Sequence, residues 1–204
     1  NGSIKWHESG CEDVIEMGTA DMDFETATEI VDALIECAKA ADFGYMLKPE
    51  SYYDAIIEWN RDNYGWELNK ENIADCPGMM SGIGMALRAL SRPGDVLLVD
   101  SPFFGPIPEI ARNNGLEVVT VPLIHRGDGW EPDLVRFEMA IMTYNVKFFA
   151  LVNPQNPTGR VYRRKELEEI ASICYKYGVT VISDEVHGTI VYDGELIPFT
   201  SVSE

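Results

Sequence analysis

The sequence predicts an α/β fold, a mainly parallel sheet with helices on both faces. Short and almost continuously apolar runs, such as VLLVD at Val96 to Asp100, alternate with longer segments of helical periodicity. Strands that are apolar throughout are typical of parallel sheets covered on both sides. Two runs lead directly into polar motifs, NPQNPTGRV at Asn153 to Val161 and SDEVH at Ser183 to His187. Parallel strands would bring both motifs to the carboxyl edge of one sheet, where ligands bind in open α/β sheets.

Helices are predicted where apolar residues recur at helical spacing. The segment 164–176 shows this most clearly, because Leu167, Ile170 and Cys174 lie on one face and Gly178 follows as a stop signal. The predicted helices are 25–40, 49–64, 82–90, a segment after SPFFGP that ends near 114, 132–144 and 164–176.

Strands are predicted where short segments are apolar and rich in β-branched residues. The predicted strands are 73–76, 96–100, 117–123, 146–152 and 179–183. The segment 124–130, IHRGDGW, is expected to be a turn-rich loop because Gly and Asp occupy its centre. Residues 1–24 are expected to be irregular, and 187–204 carries no pattern that assigns it.

The composition is that of a globular protein without nucleic-acid or membrane partners. The 204 residues are 46% hydrophobic, and 34 acidic against 16 basic residues give a net charge of −18, which repels nucleic acid and anionic membranes. Neither a membrane-spanning stretch nor a signal-peptide pattern is present, which favours a cytoplasmic location. The four cysteines lack metal-ligand spacing, so we expect no metal site and reduced, mostly buried thiols.

Asp184 and Asn156 are the leading candidates for a cofactor site, and pyridoxal phosphate is the cofactor that suits them. A carboxylate favours the protonated form of a ring nitrogen that faces it, and the Asn156 amide can donate to a phenolic oxygen. His187 can add a contact near the same oxygen. Taken singly, these residues also fit a solvated acid, an ordinary Asn-Pro-Thr-Gly turn and a structural histidine. Asn153 is expected to serve the loop itself.

Two other turns follow strands at the same predicted edge. PGMMSG at 77–82 would present the backbone amides of Met79 and Met80 at a helix start, where they can bind phosphate. In SPFFGP, Phe104 or Phe103 can stack on a planar ring. Each turn has an ordinary alternative, because most strand–helix turns resemble the first and either phenylalanine can be a core residue. Their coincidence with the two polar motifs at one edge favours the cofactor site.

These motifs resemble those of the aspartate-aminotransferase fold family (fold type I) of pyridoxal phosphate enzymes. Within it, ADMDF, FGY, the PG-x-x turn and the DEVH ending are similar to the MalY/PatB-type cystathionine β-lyases, also called C–S lyases. The similarity runs from SIKW to the last residues. It implies that Asp184 holds the pyridine nitrogen, that Asn156 holds the phenolic oxygen with His187 nearby, and that Phe104 covers the ring, where many relatives have Tyr.

The resemblance also implies contacts to the phosphate and to the substrate. The amides of Met79 and Met80 would bind the phosphate, and Tyr45 would reach the phosphate of the partner subunit across a homodimer interface. The backbone at Ala20 and Asp21 would lie near the carboxylate of an amino-acid substrate.

The domain organisation implied by the resemblance is that of the first half of a longer chain. Residues 1–48 would be an N-terminal arm and first helix in the small-domain and dimer-contact region. Residues 49–204 would begin the pyridoxal phosphate-binding large domain, whose remainder would be absent together with the C-terminal small domain. The segment 73–76 would then lack its neighbouring strands.

The activity implied by the resemblance is α,β-elimination from L-cystathionine or a cysteine S-conjugate, giving a thiol, pyruvate and ammonia. A class I/II aminotransferase is the first alternative, and an inactive fragment or a binding module is the second. The family's Schiff-base lysine follows the strand after SDEVH, and none of the lysines here has that context. We therefore expect activity from the full-length protein and none from this chain alone.

Overall fold

Two units make up the structure, a computed structural model that describes residues 3–5, 13–127 and 129–202. The first unit comprises Asn1–Lys48 and the second Pro49–Glu204.

The first unit has one helix, α1 (Thr28–Ala40), among its described residues. The apolar stripe predicted for it is present, but Ile30, Leu34 and Ile35 are all exposed. Packing within this unit therefore leaves the apolar face of α1 open.

Five α-helices lie in the described part of the second unit, each where the sequence predicts a helix. They are α2 (Glu50–Tyr64), α3 (Met79–Leu90), α4 (Pro106–Asn113), α5 (Leu134–Tyr144) and α6 (Arg164–Tyr177). Helix α3 begins three residues before the predicted start, because Gly78, at a φ of 94°, turns the chain directly into the helix. Within the described ranges, no helix of either unit is long and apolar enough to cross a membrane.

Four parallel strands form the sheet of the second unit. The strands, with a separate hairpin of β3 and β4, are β1 (Val96–Ser101), β2 (Glu117–Pro122), β3 (Ile124–Arg126), β4 (Gly129–Glu131), β5 (Phe148–Val152) and β6 (Thr180–Asp184). The order across the sheet is β2-β1-β5-β6. Strand β5 thus lies between β1 and β6, and it pairs Ala150 with Val99 on one side and with Ile182 on the other.

The core lies on both faces of this sheet, which confirms the predicted fold class. Neighbouring strand residues point to opposite faces. Leu98 and Phe149 pack with residues of α5 and α6, whereas Leu97 and Phe148 pack with residues of α3 and α4. The near-continuous apolar character of the strands follows from this double covering.

Two predicted elements were wrong. The segment 73–76 is extended at Ile73, with φ −101° and ψ 115°, but it belongs to neither sheet of the described residues. The segment 124–130 contributes to a hairpin, in which His125 lies opposite Trp130. A β-hairpin needs only a few residues on each side of its turn, and Gly127, one of the residues that indicated a loop, lies between the two strands at a φ of 60°.

The burial predicted for the cysteines was also wrong for two of the three that the structure describes. Cys37 and Cys76 are exposed, and Cys174 is buried; Cys11 lies outside the described residues. All three described thiols are free. Cys174 is buried because it lies on the apolar face of α6 that packs on the sheet.

Candidate functional site

The carboxyl ends of β1, β5 and β6 lie side by side because these parallel strands are neighbours in the sheet. The backbone N–H of Asn153 donates to the carbonyl oxygen of Asp184 at 2.9 Å, which joins the segments that follow β5 and β6. The motifs that contain these residues are therefore brought together at one edge, as the parallel arrangement predicts.

Asp184 ends β6 as a buried carboxylate with one oxygen available. Its Oδ1 accepts a hydrogen bond from the backbone N–H of Val186 at 3.1 Å, and its Oδ2 has no donor among the described residues. Burial raises the pKa of Asp184 above its ordinary value, while the Val186 N–H and the nearby His187 act in the opposite direction. A cationic partner at Oδ2 would stabilise this carboxylate, because a buried charge is unfavourable unless it is paired.

An open cleft of about 350 Å³ joins Asp184 to the N-terminus of α3. Met79 and Ile182 also line this cleft, whose size falls in the range of roughly 300–1,000 Å³ common for small-molecule sites. The first hydrogen bond of α3 runs from the N–H of Gly82 to the oxygen of Gly78. The amides of Met79 and Met80 precede that bond, so they have no acceptor within the helix and suit an anion.

Phe104 lies in the turn after β1 and is half-buried. It packs against the core cluster on the α3 and α4 side of the sheet, as do Met79, Met80 and Ile182. Phe103 is more exposed, at 39%. Of the two phenylalanines, Phe104 thus shares a cluster with Met79 and Ile182, which line the cleft beside Asp184.

Asn156 lies in the loop after β5 and is half-buried. Its side-chain amide makes no hydrogen bond to the part of the chain that the structure describes, so it is available to a ligand. Asn153 behaves differently, because its Oδ1 accepts from the backbone N–H of Tyr162 at 3.0 Å inside the protein. This contact agrees with the prediction that Asn153 serves the loop.

The remaining candidates are His187 in the second unit and three residues of the first unit. His187 is half-buried in the turn after β6. Ala20, Asp21 and Tyr45 are exposed in the first unit. The backbone oxygen of Asp21 accepts a hydrogen bond from Lys5 Nζ at 3.1 Å.

Sequence reasoning missed three buried polar residues at the same edge: Asp100, Gln155 and Tyr162. The Tyr162 hydroxyl donates to Asp100 Oδ2 at 2.6 Å, and Gln155 Nε2 donates to the oxygen of Pro102 at 2.6 Å. Burial raises the pKa of Asp100 to about 6, although the Tyr162 hydroxyl and the charge of Arg160 lower it. The only signals in the sequence were an Asp ending an apolar strand and a Gln inside the polar motif.

The chemistry of this edge fits a planar cofactor with a basic ring nitrogen and a phosphate group. A buried carboxylate with an unpartnered oxygen lies on one wall of the cleft, and a helix N-terminus lies on another. An aromatic side chain and an unpartnered amide lie on the neighbouring turns. Pyridoxal phosphate has the complementary groups, so these residues fit it.

Comparisons with known proteins agree with this fit. The chain is 33% identical to cystathionine beta-lyase PatB of Bacillus subtilis over 99% of its own length and 54% of that protein. It is 30% identical to nicotianamine aminotransferase 1 of Oryza sativa, with 83% of this chain and 35% of that protein covered. A pyridoxal phosphate-bound C–S lyase from Staphylococcus hominis, complexed with L-cycloserine, superposes with a TM-score of 0.90 at 28% identity, over 98% of this chain and 53% of the other.

The extent of the match decides the family. The chain spans about half the length of cystathionine beta-lyase PatB and of the C–S lyase. The sequence model of aminotransferase class I and II matches residues 12–203, nearly all of the chain. The protein therefore belongs to the aminotransferase class I and II family.

Proposed function

We propose that the full-length protein is a pyridoxal phosphate-dependent carbon–sulfur lyase that cleaves L-cystathionine or a related cysteine S-conjugate. The observation that carries the proposal is Asp184, a buried carboxylate whose Oδ2 faces no donor of the described chain while it lines a cleft with the N-terminus of α3. Similarity to a cystathionine beta-lyase and to a C–S lyase supports the reaction type.

Asp184 is the residue on which the chemistry depends. Bound pyridoxal phosphate supplies an electron sink for the electron pair released when the Cα–H bond of an amino acid breaks. Asp184 keeps a proton on the ring nitrogen by pairing its charge with it. The low dielectric of its buried position strengthens that pairing relative to water.

Other residues of the edge hold the cofactor in place. Asn156 donates a hydrogen bond from its side-chain amide to the phenolic oxygen. His187, three residues after Asp184 in the chain, adds a second contact near the same oxygen. Phe104 covers one face of the ring but lacks the hydroxyl that a tyrosine would offer. The amides of Met79 and Met80 bind the phosphate at the positive end of α3.

The overall reaction consumes water and releases three products. Loss of the α-proton and of the thiolate from Cβ, followed by hydrolysis, converts L-cystathionine and water to homocysteine, pyruvate and ammonia. The backbone at Ala20 and Asp21 is proposed to lie near the substrate carboxylate.

The test is a product assay on the full-length protein loaded with pyridoxal phosphate. With L-cystathionine we expect equal amounts of free thiol and pyruvate, and no requirement for a keto acid. Amino transfer to an added keto acid, without release of thiol, would instead establish an aminotransferase. That alternative is favoured by the 30% identity to nicotianamine aminotransferase 1. Cofactor binding without either reaction would indicate a binding module.

A homodimer in the cytoplasm completes the proposal. Tyr45 and the apolar face of α1 are exposed, which supports a contact in which Tyr45 reaches the phosphate site of the partner subunit. The free thiols of Cys37, Cys76 and Cys174 suit a reducing compartment. Light scattering on the full-length protein should give twice the monomer mass, and the variant Tyr45→Phe should bind pyridoxal phosphate more weakly.

A further inference from the structure

We propose that Gln155 and Tyr162 are positioning residues that hold the loop carrying Asn156 at a fixed distance from the turn carrying Phe104. The inference rests on the proposed function, because it concerns how this chain places two groups on opposite sides of one cofactor. Neither residue has to touch the cofactor for this role.

Such positioning residues are needed because the pairing between β1 and β5 stops before the ends of these two strands. Strand β1 pairs with β5 only as far as Val99 and Ala150. The outer pairs continue further, from β1 to β2 as far as Ser101 and from β5 to β6 as far as Asp184. The pairing of β1 with β5 therefore ends before the last residues of either strand, and a small cavity lined by Asp100, Val152 and Gln155 lies there.

Gln155 makes the first of two hydrogen-bonded connections between the loop after β5 and the segment at the end of β1. It is only 4% exposed. Its Nε2 donates to the oxygen of Pro102 at 2.6 Å, while its Oε1 accepts from the backbone N–H of Thr158 at 2.9 Å and from the Thr158 hydroxyl at 2.5 Å. One side chain thus closes the loop around Asn156 and fastens it to the residue that precedes Phe103 and Phe104.

Tyr162 makes the second hydrogen-bonded connection, from the far end of the same loop to β1. It is 1% exposed, and its hydroxyl donates to Asp100 Oδ2 at 2.6 Å. The guanidinium carbon of Arg160 lies 4.2 Å from the centre of the Tyr162 ring, and Arg160 also pairs with Glu166 of α6 at 2.5 Å. Burial and the Asp100 charge raise the pKa of the Tyr162 hydroxyl, so that it keeps the proton it donates.

The consequence for the cofactor is electronic. A hydrogen bond from Asn156 stabilises the deprotonated phenolic oxygen, so losing it raises the pH at which the visible absorption band of the bound cofactor titrates. Loss of the hydrogen bonds of either Gln155 or Tyr162 lets Asn156 move away from that oxygen. Gln155→Ala and Tyr162→Phe should therefore shift the titration in the same direction as Asn156→Ala, by a smaller amount.

The experiment is a pH titration of this absorption band in the full-length holoenzyme. We expect an upward shift of roughly one to two pH units for Asn156→Ala, since a hydrogen bond to a charged group contributes about 1.5–3 kcal/mol. We expect about half a unit for Gln155→Ala and for Tyr162→Phe. The control is Tyr177→Phe, which removes another tyrosine–carboxylate hydrogen bond, to Glu138 at 2.9 Å, and should leave the midpoint unchanged.

Each outcome has one meaning. A shift for Asn156→Ala with none for Gln155→Ala and Tyr162→Phe would disprove the positioning role of the two residues. The proposed function would be unaffected. No shift for Asn156→Ala would disprove the proposed contact to the phenolic oxygen, and with it the positioning role of Gln155 and Tyr162. If Gln155→Ala does not fold, Tyr162→Phe decides the matter, because it removes a single oxygen and keeps the ring beside Arg160.

Discussion

The loop after β5 and the turn before α3 lie on two sides of the candidate site and are held in different ways. The loop is fixed by the buried side chains of Asn153, Gln155 and Tyr162. The turn is exposed: the N–H of Gly78 donates to the oxygen of Cys76 at 2.9 Å, and the Cys76 thiol lies 3.4 Å from the oxygen of Gly78. Just before it, the exposed Asp75 accepts from the Tyr52 hydroxyl of α2 at 2.8 Å.

The difference follows from the sheet. The loop extends from a central strand, whereas the turn follows the segment 73–76, which is extended without pairing to any described strand. The ring side of the proposed site is thus built by this chain's own core, and the phosphate side relies on the N-terminus of α3. Substitutions on the two sides should accordingly change different quantities.

The largest effect is expected from Asp184→Asn on the ring side. Asparagine keeps the shape but removes the charge that is proposed to hold the proton on the ring nitrogen, so kcat should fall by about a hundred- to a thousand-fold. The measurement is thiol release from L-cystathionine by the full-length protein. Asp95→Asn is the matched control, because Asp95 accepts from the backbone N–H of Arg92 at 2.7 Å and precedes β1 at the opposite edge of the sheet. A kcat above one-tenth of the original would remove Asp184 from its proposed role.

Asp100→Asn should show how strongly burial raises the pKa of Asp100, the hydrogen-bond partner of Tyr162. Its pKa is about 6 in the folded protein and 3.8 ordinarily, so the stability contributed by its protonated form is complete below about 3.8 and is lost as the pH rises through 6. Asparagine does not ionise and still accepts from Tyr162. The free energy of unfolding of the variant, relative to the unchanged protein, should rise between pH 4 and 7 by up to about 3 kcal/mol. Urea unfolding at both pH values measures this, and a constant difference would show that Asp100 is better solvated than its position indicates.

Gly78→Ala should weaken cofactor binding from the less supported side. A side chain at φ 94° is strained by about 1–3 kcal/mol, although its Cβ would meet no atom within 4 Å. The dissociation constant for pyridoxal phosphate should rise about tenfold, and the absorption midpoint should stay unchanged. Gly94→Ala is the matched control, since Gly94 has φ 90° and equally open surroundings but precedes β1 at the opposite edge. Equal effects of both variants on the dissociation constant would exclude a phosphate contact at Gly78.

The parts of the fold that the sequence predicts are those encoded by local pattern. The strands β1, β5 and β6 were found because their residues are apolar on both faces, and α6 was found because its apolar residues recur at helical spacing. The start of α3 was misplaced because its N-cap residue is Gly78, which offers no side-chain signal. The short hairpin was missed because three residues on each side of a turn carry too little alternation.

The parts of the site that the sequence does not predict depend on long-range order. Asp184 and Asn156 could be named because Asp184 ends one recognisable strand and Asn156 lies in the polar motif that follows another. The partners of Gln155 and Tyr162 are 53 and 62 positions away in the chain. They become neighbours only because β5 inserts beside β1, and no local pattern gives that strand order.

The same strand order has a consequence for synthesis. After β2 has been made and until β5 follows it, β1 has only β2 as a paired neighbour, and its other edge stays unpaired. At common elongation speeds this interval lasts on the order of seconds. During that time Leu98 lacks its packing partners on α6 and is exposed to other nascent chains together with the unpaired edge of β1, so slow codons in this stretch should increase aggregation of the newborn polypeptide.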